Sequence, residues 1–327
     1  MSLIASSENS AKQLAASTEP SSLLADYATL FKLRVTTMVV ITAAAGFYVG
    51  CLRSGVSPLS AEMVEAMAGI AVVTCGSSAL NQALERKTDL LQRRTRNRPM
   101  ATGRIGLAHG TLVGLLTILL GSLFLDRVVN PLTGWLTLLT AVGYVAIYTP
   151  LKRISTINTF IGAIPGAMPP LIGWTAARGR VEWPGIALFA ILFVWQFPHF
   201  MAIGWMYRED FARAGIRISP TIADTRTAVR STVAQALFYA TLMIPVSLWP
   251  YALGTAGVAY AVAAGALSLG YLWMTIRFTR IVHSPDLHDV DHPSHRQPAR
   301  DLLHASILYL PLLLAALMLD ARGRLLF

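Results

Sequence analysis

The sequence predicts an all-α integral membrane protein with nine transmembrane helices. Of the 327 residues, 54% are hydrophobic and 13% are charged, and the mean hydropathy of +0.54 lies far from the balance of soluble proteins. Apolar stretches long enough to cross the ~30 Å hydrocarbon core of a bilayer recur along the chain. We place the spans at 33–52, 62–84, 107–125, 131–149, 157–176, 184–206, 232–252, 255–276 and 302–319.

The fifth predicted span contains Pro165, Pro169 and Pro170. Each proline removes a backbone donor and clashes with the preceding turn of a helix. Within a membrane, neighbouring helices must satisfy the backbone groups that are freed in this way. We therefore expect this span to be kinked or partly unwound.

The distribution of cationic residues predicts the orientation. With nine spans and the N-terminus inside, 21 of the 27 lysines and arginines lie in inner segments. Cytoplasmic loops of membrane proteins carry such an excess, so we expect a cytoplasmic N-terminus and a C-terminus on the opposite side. The net charge of +10 is spread over these loops, where it orients the protein and contacts anionic membrane lipid. No nucleic-acid motif accompanies it, so nucleic acid is not an expected partner.

Residues 1–26 are rich in Ser, Ala and Glu and hold a single cation, Lys12. They lack the patterns of a mitochondrial transit peptide and of a secretory signal. We predict a disordered cytoplasmic tail over 1–26, a membrane domain over 27–320 and a short C-terminal tail over 321–327. This composition favours a bacterial cytoplasmic (inner) membrane.

Asn81, Glu85 and Asp89 lie four residues apart at the end of the second span, and Arg94 and Arg98 follow them. On a helix, each step of four turns the side chain by about 40°, so the three share one face over roughly 12 Å. Oxygen ligands beside arginines suit a divalent cation that carries a polyphosphate. A solvated anchoring cluster is the alternative, but the shared face and the continuing cations favour a ligand site.

Two further inner loops carry charged groupings. Lys152 and Arg153 follow the fourth span, and Arg208, Glu209 and Asp210 follow the sixth. Each alone fits an ordinary positive-inside pair or local ion pairing, whereas their coincidence on one side favours a functional site. The first and third groupings both follow even-numbered spans, which predicts two weakly repeated halves with the site between their inner ends.

On these motifs, the chain resembles the UbiA-type intramembrane prenyltransferases, and within them the haem-prenylating branch, over about residues 27–320. The family's Asn-x3-Asp-x3-Asp motif is matched by Asn81, Glu85 and Asp89, with Glu in place of the usual middle Asp. The other matching motifs are Arg94-Thr-x-x-Arg98-Pro99, Tyr148-x3-Lys152, Trp195-Gln-x-Pro198-His199 and Asp210-Phe211, where Phe replaces the usual Tyr and a full Asp-x3-Asp is lacking.

This resemblance implies nine helices around a central cavity that opens to the cytoplasm and sideways to lipid. It implies transfer of the farnesyl group of farnesyl diphosphate to a vinyl group of haem B, with Mg²⁺ as cofactor and haem B as substrate. Haem A synthase or a terminal-oxidase assembly is an implied partner for the product. The alternatives are a relative acting on another aromatic or tetrapyrrole acceptor, and a transporter. Ionisable residues at the inner helix ends, rather than in mid-span, disfavour the transporter.

The resemblance and the chemistry of departing diphosphate together assign roles to individual residues. The expected catalytic set is Asn81, Glu85, Asp89, Lys152, Arg153 and Asp210. Within the wider site, the expected Mg²⁺ ligands are Asn81, Glu85, Asp89 and Asp210, and the expected diphosphate-binding residues are Arg94, Arg98, Lys152, Arg153 and Arg208. The expected aromatic wall of the prenyl pocket is Tyr148, Trp174, Phe197 and Phe200, for which packing between helices is the alternative.

Histidines provide two candidates for binding haem. His199 lies on the sixth span within the family signature, and we expect it to contact the haem iron or the haem edge. The segment His283–His295 contains four histidines and three aspartates at irregular spacing. Because prolines interrupt it, we interpret this segment as a solvated loop rather than a metal or haem site.

Overall fold

The computed structural model describes residues 22–52, 57–282 and 293–321. Within these ranges the regular secondary structure is helical, and no β-strand occurs. Nine of the helices in these ranges are long and apolar enough to cross a membrane, as the sequence predicted. In chain order the helices are α1 Leu23–Leu30, α2 Leu33–Leu52, α3 Ala61–Asp89, α4 Pro99–Thr102, α5 Leu107–Phe124, α6 Pro131–Val142, α7 Thr149–Leu151, α8 Asn158–Arg178, α9 Trp183–Met206, α10 Arg208–Arg213, α11 Thr225–Ala252, α12 Val258–Val282 and α13 Pro293–Ala321.

Two of the membrane helices continue as π-helix. Leu125–Val129 extends α5, and Gly143–Tyr148 joins α6 to the short α7. Other helices extend past their predicted inner ends: α3 continues to Asp89, and α11 begins at Thr225 rather than near 232. The apolar stretches stop where polar residues begin, but the helical hydrogen bonds continue beyond that point. Hydropathy therefore underestimates the length of these helices.

The helices pack in two groups. In the first group α2 packs along α8 and α3 packs along α5, and in the second α9, α11, α12 and α13 pack in succession, with α13 returning to α9. Contacts between α8 and α9 join the groups. The largest buried apolar cluster lies mainly in the second group, around Leu188, Ile191 and Tyr260.

Helices α2 and α8 approach each other through glycine. A Cβ atom placed on Gly46 would lie 1.9 Å from the carbonyl oxygen of Pro170, and one on Gly173 would lie 1.8 Å from that of Ala43. Helix α8 runs without interruption from Asn158 to Arg178 despite its three internal prolines. The expectation of partial unwinding is therefore wrong, because the helix continues through all three prolines; a kink stays a prediction.

The first helix falls partly in the segment predicted to be a disordered tail. Ser22 caps α1 by accepting a hydrogen bond from the backbone of Ala25. Asp26 is buried and accepts three hydrogen bonds of 2.9–3.0 Å from the guanidinium of Arg104, which fixes α1 against the loop before α5. Residues 23–26 of the predicted tail are therefore helical, and the domain boundaries stay predictions. Residues 1–21, 283–292 and 322–327, which include the rest of this tail, most of the histidine-rich segment and most of the C-terminal tail, lie outside the described residues.

Replacing Gly173 by Ala should destabilise the bundle. The added methyl group would meet a backbone carbonyl of α2, which cannot turn aside as a side chain can, so the helices must separate. We expect a loss of about 1–3 kcal/mol, the usual cost of overpacking, measured as a lower thermal unfolding midpoint in detergent. Gly265→Ala is the matched control, because nothing lies within 4 Å of a Cβ there. Equal stability of the two variants would contradict the close contact.

Candidate active site

The inner end of α3 carries the three oxygen-bearing side chains on one helix, as predicted. Asn81 is fully buried: its Oδ1 accepts a hydrogen bond from Lys32 Nζ at 2.6 Å, and its Nδ2 donates to Thr149 Oγ1 at 3.1 Å. Glu85 and Asp89 follow at the next two turns and face a cavity. The spacing of four residues thus brings one amide and two carboxylates to one end of the bundle.

Each of the two carboxylates is paired with a cation of an inner loop. Lys152 Nζ lies 2.7 Å from Glu85 Oε1. Arg98 Nη1 donates to both carboxylate oxygens of Asp89 at 2.9 Å, where the Asp89 side chain is 1% exposed. Thr95 holds the same turn by donating its hydroxyl to the Asp89 carbonyl at 3.0 Å. Charge pairing therefore joins the helix to the loops that follow α3 and α7.

The third inner loop meets the other two. The Arg94 guanidinium lies over the rings of Tyr207 and Phe211, at 5.7 and 6.0 Å from their centroids. The backbone N–H of Arg217 donates to the Lys152 carbonyl at 2.8 Å. The three groupings that are distant in sequence thus surround one region at the inner ends of the helices.

Two adjoining cavities lie in this region, and Arg94 borders both. The first, of about 280 Å³, is lined by Lys32, Arg98, Lys152 and Tyr148 together with the two carboxylates. Its lining carries four cations and two carboxylates, so its formal charge is positive. The second, of about 370 Å³, is lined by residues that include Arg208 and Asp210. A positive cavity beside carboxylates can bind an anion together with a metal ion.

Burial and neighbouring charges shift the pKa values of three cations that line the first cavity. Burial lowers the pKa of Lys32, and the nearby Arg98 and Lys152 lower it further. Burial and the neighbouring Arg98 also lower the pKa of Arg94. Burial alone would lower the pKa of Lys152, but Tyr148 and Glu85 outweigh burial and raise it. Lys152 is therefore firmly cationic, whereas Lys32 and Arg94 are cations held close to others of the same sign.

The donor set suits Mg²⁺ rather than a metal held entirely by protein. Among the described residues, no three His, Cys, Asp or Glu side chains gather into a metal cluster. Mg²⁺ binds through one or two carboxylates and fills its remaining positions with water and substrate phosphates. Glu85 and Asp89 on the wall of a positive cavity match that preference. Both carboxylates must exchange their present cationic partners for the metal.

Other predicted ligands lie at the edge of this arrangement. Asp210 lines the second cavity, not the one that holds Glu85 and Asp89, and its carboxylate is paired with Arg213. Arg208 also lines the second cavity, with its guanidinium 5.1 Å from the Trp205 ring centroid. Arg153 is exposed and lines neither cavity. Their roles in metal and diphosphate binding stay predictions.

The predicted aromatic wall divides into two pairs. Tyr148 and Phe200 line the first cavity, and Lys152 Nζ lies 4.6 Å from the Tyr148 ring centroid. Phe197 is buried against Tyr239, with ring centroids 3.5 Å apart. Trp174 is fully buried in the apolar core, toward the other end of α8. Of the four predicted residues, Tyr148 and Phe200 thus line the first cavity, whereas Phe197 and Trp174 pack in the core. The role of all four in a prenyl pocket stays a prediction.

His199 lies between α9 and α13. Its Nδ1 is 2.7 Å from Ser306 Oγ, and its ring stacks on Trp195 with centroids 4.8 Å apart. It lines neither of the two cavities. Contact with haem at this position stays a prediction.

Sequence reasoning missed two residues at the centre of the site. Lys32 was counted only among the cations that orient the protein, yet it lines the cavity and donates to Asn81. Thr149 receives the other hydrogen bond of that amide. The sequence feature that could have identified Lys32 is its position directly before the first span, on the same predicted side of the membrane as the other motifs. For Thr149, no pattern distinguishes it from the many threonines in the spans.

A helical membrane bundle with paired carboxylates and clustered cations at one end fits the class of intramembrane prenyltransferases. Residues 39–286 match the UbiA prenyltransferase family. The chain belongs to this family and is a multi-pass membrane enzyme, which removes the transporter alternative.

Named relatives of high similarity cover most of the chain. Protoheme IX farnesyltransferase of Koribacter versatilis is 44% identical over 299 residues, which cover 91% of this chain and 94% of that protein. Protoheme IX farnesyltransferase of Opitutus terrae is 38% identical over 309 residues, which cover 93% of this chain and 98% of that protein.

Solved structures of low identity share the fold. A structure of digeranylgeranylglyceryl phosphate synthase superposes with a TM-score of 0.72 at 15% identity, covering 92% of this chain and 99% of the other. A UbiA homologue from Archaeoglobus fulgidus, bound to GPP and Mg²⁺, gives a TM-score of 0.56 at 16% identity and covers 89% of this chain and 99% of the other. The predicted prenyltransferase fold is confirmed, with nine membrane-crossing helices among the residues that the structure describes.

Replacing Arg98 by Met should strongly destabilise the folded protein, because it leaves the buried Asp89 carboxylate without its cation. Removing one partner of a buried ion pair costs about 3–5 kcal/mol, measured by thermal or denaturant unfolding in detergent. Arg127→Met, at an exposed pair with Asp126, is the matched control and should cost less than about 1 kcal/mol.

A second substitution separates charge from packing. Adding Asp89→Asn to Arg98→Met should recover much of the lost stability, because no buried charge then remains unpaired. If the double variant were no more stable than Arg98→Met alone, the ion pair would not be the source of the effect.

Proposed function

We propose that this protein is a haem O synthase. It transfers the farnesyl group of farnesyl diphosphate to a vinyl group of haem B and releases diphosphate. The observation that carries the proposal is the positive cavity at the inner end of the bundle, where Glu85 and Asp89 lie beside Lys152, Arg94 and Arg98. The high similarity to proteins named protoheme IX farnesyltransferase supports haem B as the acceptor.

The first chemical requirement is to break the allylic C–O bond. The bonding electron pair leaves with the diphosphate, which carries several negative charges that must be stabilised. Arg94, Arg98 and Lys152 line the cavity, and each can donate a hydrogen bond to the diphosphate oxygens. Charge-assisted hydrogen bonds from prearranged donors are often the largest catalytic contribution.

Mg²⁺, held by Glu85 and Asp89 with the Asn81 oxygen nearby, would act as a Lewis acid toward the diphosphate oxygens. Asp210 would support it from the adjoining cavity. Lys152 and Arg98 neutralise these carboxylates in the structure, so metal binding by Glu85 and Asp89 would free the two cations. The same cations would then be available for the diphosphate.

The second requirement is to guide the farnesyl cation to its acceptor. The π electrons of the haem vinyl group form the new C–C bond, and the resulting cation is captured by water, which loses a proton to give the hydroxyl group of haem O. Water must be excluded until that bond has formed. Tyr148 and Phe200 on the cavity wall provide aromatic faces, which attract a desolvated cation by about 2 kcal/mol or more.

We propose the bacterial cytoplasmic membrane as the location, with the cavity and the N-terminus on the cytoplasmic side. The excess of cationic residues in the loops that form the site supports this orientation. Delivery of the product to haem A synthase or to a terminal oxidase under assembly is part of the same proposal.

Purified protein in detergent or in membranes, given haem B, farnesyl diphosphate and Mg²⁺, should form farnesylated haem that mass spectrometry detects. Asp89→Ala should abolish both this product and diphosphate release, because a carboxylate of the cavity is lost, while membrane insertion is retained. Removal of Mg²⁺ by a chelator should have the same effect. Formation of a prenylated product with a different acceptor, but not with haem B, would refute the proposed substrate.

His199→Ala should weaken haem binding, measured by absorbance titration of the Soret band, if this histidine contacts haem. His109→Ala is the matched control: His109 is exposed, its Nε2 contacts the Tyr27 hydroxyl, and it lies away from both cavities. An unchanged titration in the His199 variant would show that His199 serves only packing with Ser306 and Trp195.

A further inference from the structure

Lys32 has a backbone conformation that its residue type disfavours. Its φ of 46° lies in the left-handed region, and it is the one non-glycine residue with positive φ among those described. A lysine in this region is strained, whereas glycine adopts it freely. Such strain persists where the surrounding structure fixes it, and it concentrates at functional sites.

The surroundings of Lys32 fix this conformation from both sides. Gln82, the neighbour of Asn81 on α3, donates its Nε2 to the carbonyls of Thr29 and Leu30 at 2.8 and 3.0 Å. After the turn, the backbone N–H groups of Val35 and Thr36 donate to the Lys32 carbonyl at 2.8 and 3.0 Å. The joint between α1 and α2 is therefore attached to the helix that carries the acidic motif.

With this conformation Lys32 lines the first cavity, and its ammonium group contacts the helix that carries the acidic motif. Lys32 Nζ lies 2.6 Å from Asn81 Oδ1, and Glu85, Arg98 and Lys152 are its charged neighbours. Lys152 and Arg98 each pair with a carboxylate, whereas the hydrogen-bond partner of Lys32 is a neutral amide and the nearby Glu85 is already paired with Lys152. A partly buried ammonium group that is hydrogen-bonded only to a neutral group is costly, so this position favours the arrival of an anion.

We propose that Lys32 is a diphosphate-binding residue of this site. The inference rests on the proposed function and deepens it, since it adds a residue to the group that receives the leaving diphosphate. If the Asn81 oxygen were to bind a metal ion, Lys32 would lose its acceptor. Its three N–H donors would then be available to the diphosphate oxygens.

The test measures the binding of inorganic pyrophosphate with Mg²⁺ to the purified full-length protein by isothermal titration calorimetry at constant ionic strength. Lys32→Met should weaken binding about tenfold or more, the effect of losing a charge-assisted hydrogen bond. Arg34→Met is the matched control: Arg34 is exposed two residues further along and does not line the cavity, so its removal should leave the affinity unchanged.

Lys32→Gly distinguishes a binding role from a structural one. Glycine relieves the left-handed strain, so the thermal unfolding midpoint should stay equal or rise while the pyrophosphate affinity falls. A structural lysine would show the reverse, with lower stability and unchanged affinity, and that result would overturn the proposal. An increase confined to the KM for haem would also overturn it, because the contact would then be to a haem propionate.

This titration contains neither haem nor a prenyl chain. Pyrophosphate binding that depends on Lys32, in a protein that fails to farnesylate haem B, would refute the proposed acceptor and support the role of Lys32. Farnesylation of haem B by a protein whose pyrophosphate affinity does not depend on Lys32 would support the proposed acceptor and refute the role of Lys32.

Discussion

The site depends on the pairing of buried carboxylates with cations from separate loops. Glu85 and Asp89 end a membrane-crossing helix, where removing an unpaired carboxylate from water is costly. Lys152 and Arg98 provide the compensating charges at 2.7 and 2.9 Å. Because these cations follow different helices, the pairs bring two loops to one cavity, and Arg94 joins the third through Tyr207. The interaction that stabilises the folded site thus assembles the groups that bind a metal and a diphosphate.

The rest of the bundle holds this inner end in place. Gly46 and Gly173 allow α2 and α8 to approach within backbone contact, which fixes the helix that directly follows Lys32 against the helix that begins at Asn158. At the N-terminal side, the buried pair of Asp26 with Arg104 attaches α1 to the arginine-rich loop, since Arg104 also donates to the Asn97 carbonyl at 2.8 Å. Rigid helix contacts far from the cavity therefore decide the positions of its cations.

Much of the fold could be predicted from the sequence, because membrane spans depend on local apolar content. All nine predicted spans correspond to membrane-crossing helices of the described residues, and the largest errors fell at predicted inner ends such as those of α3 and α11, where polar residues continue a helix. The three prolines of α8 predicted an interruption, but that helix is continuous. Within the predicted tail, residues 23–26 are helical, and Asp26 is held by Arg104, a partner 78 residues away.

For the site, the sequence by itself determined which chemistry was present. The spacing of Asn81, Glu85 and Asp89 places them on one face of any helix, and the clustered cations fall on the same side of the membrane. Only the tertiary structure decided which of these groups meet. It placed Asp210 in the adjoining cavity, buried Trp174 and Phe197 in the core, and brought Lys32 into the first cavity. Periodicity fixes directions around one helix, whereas contacts between helices depend on packing that no local pattern encodes.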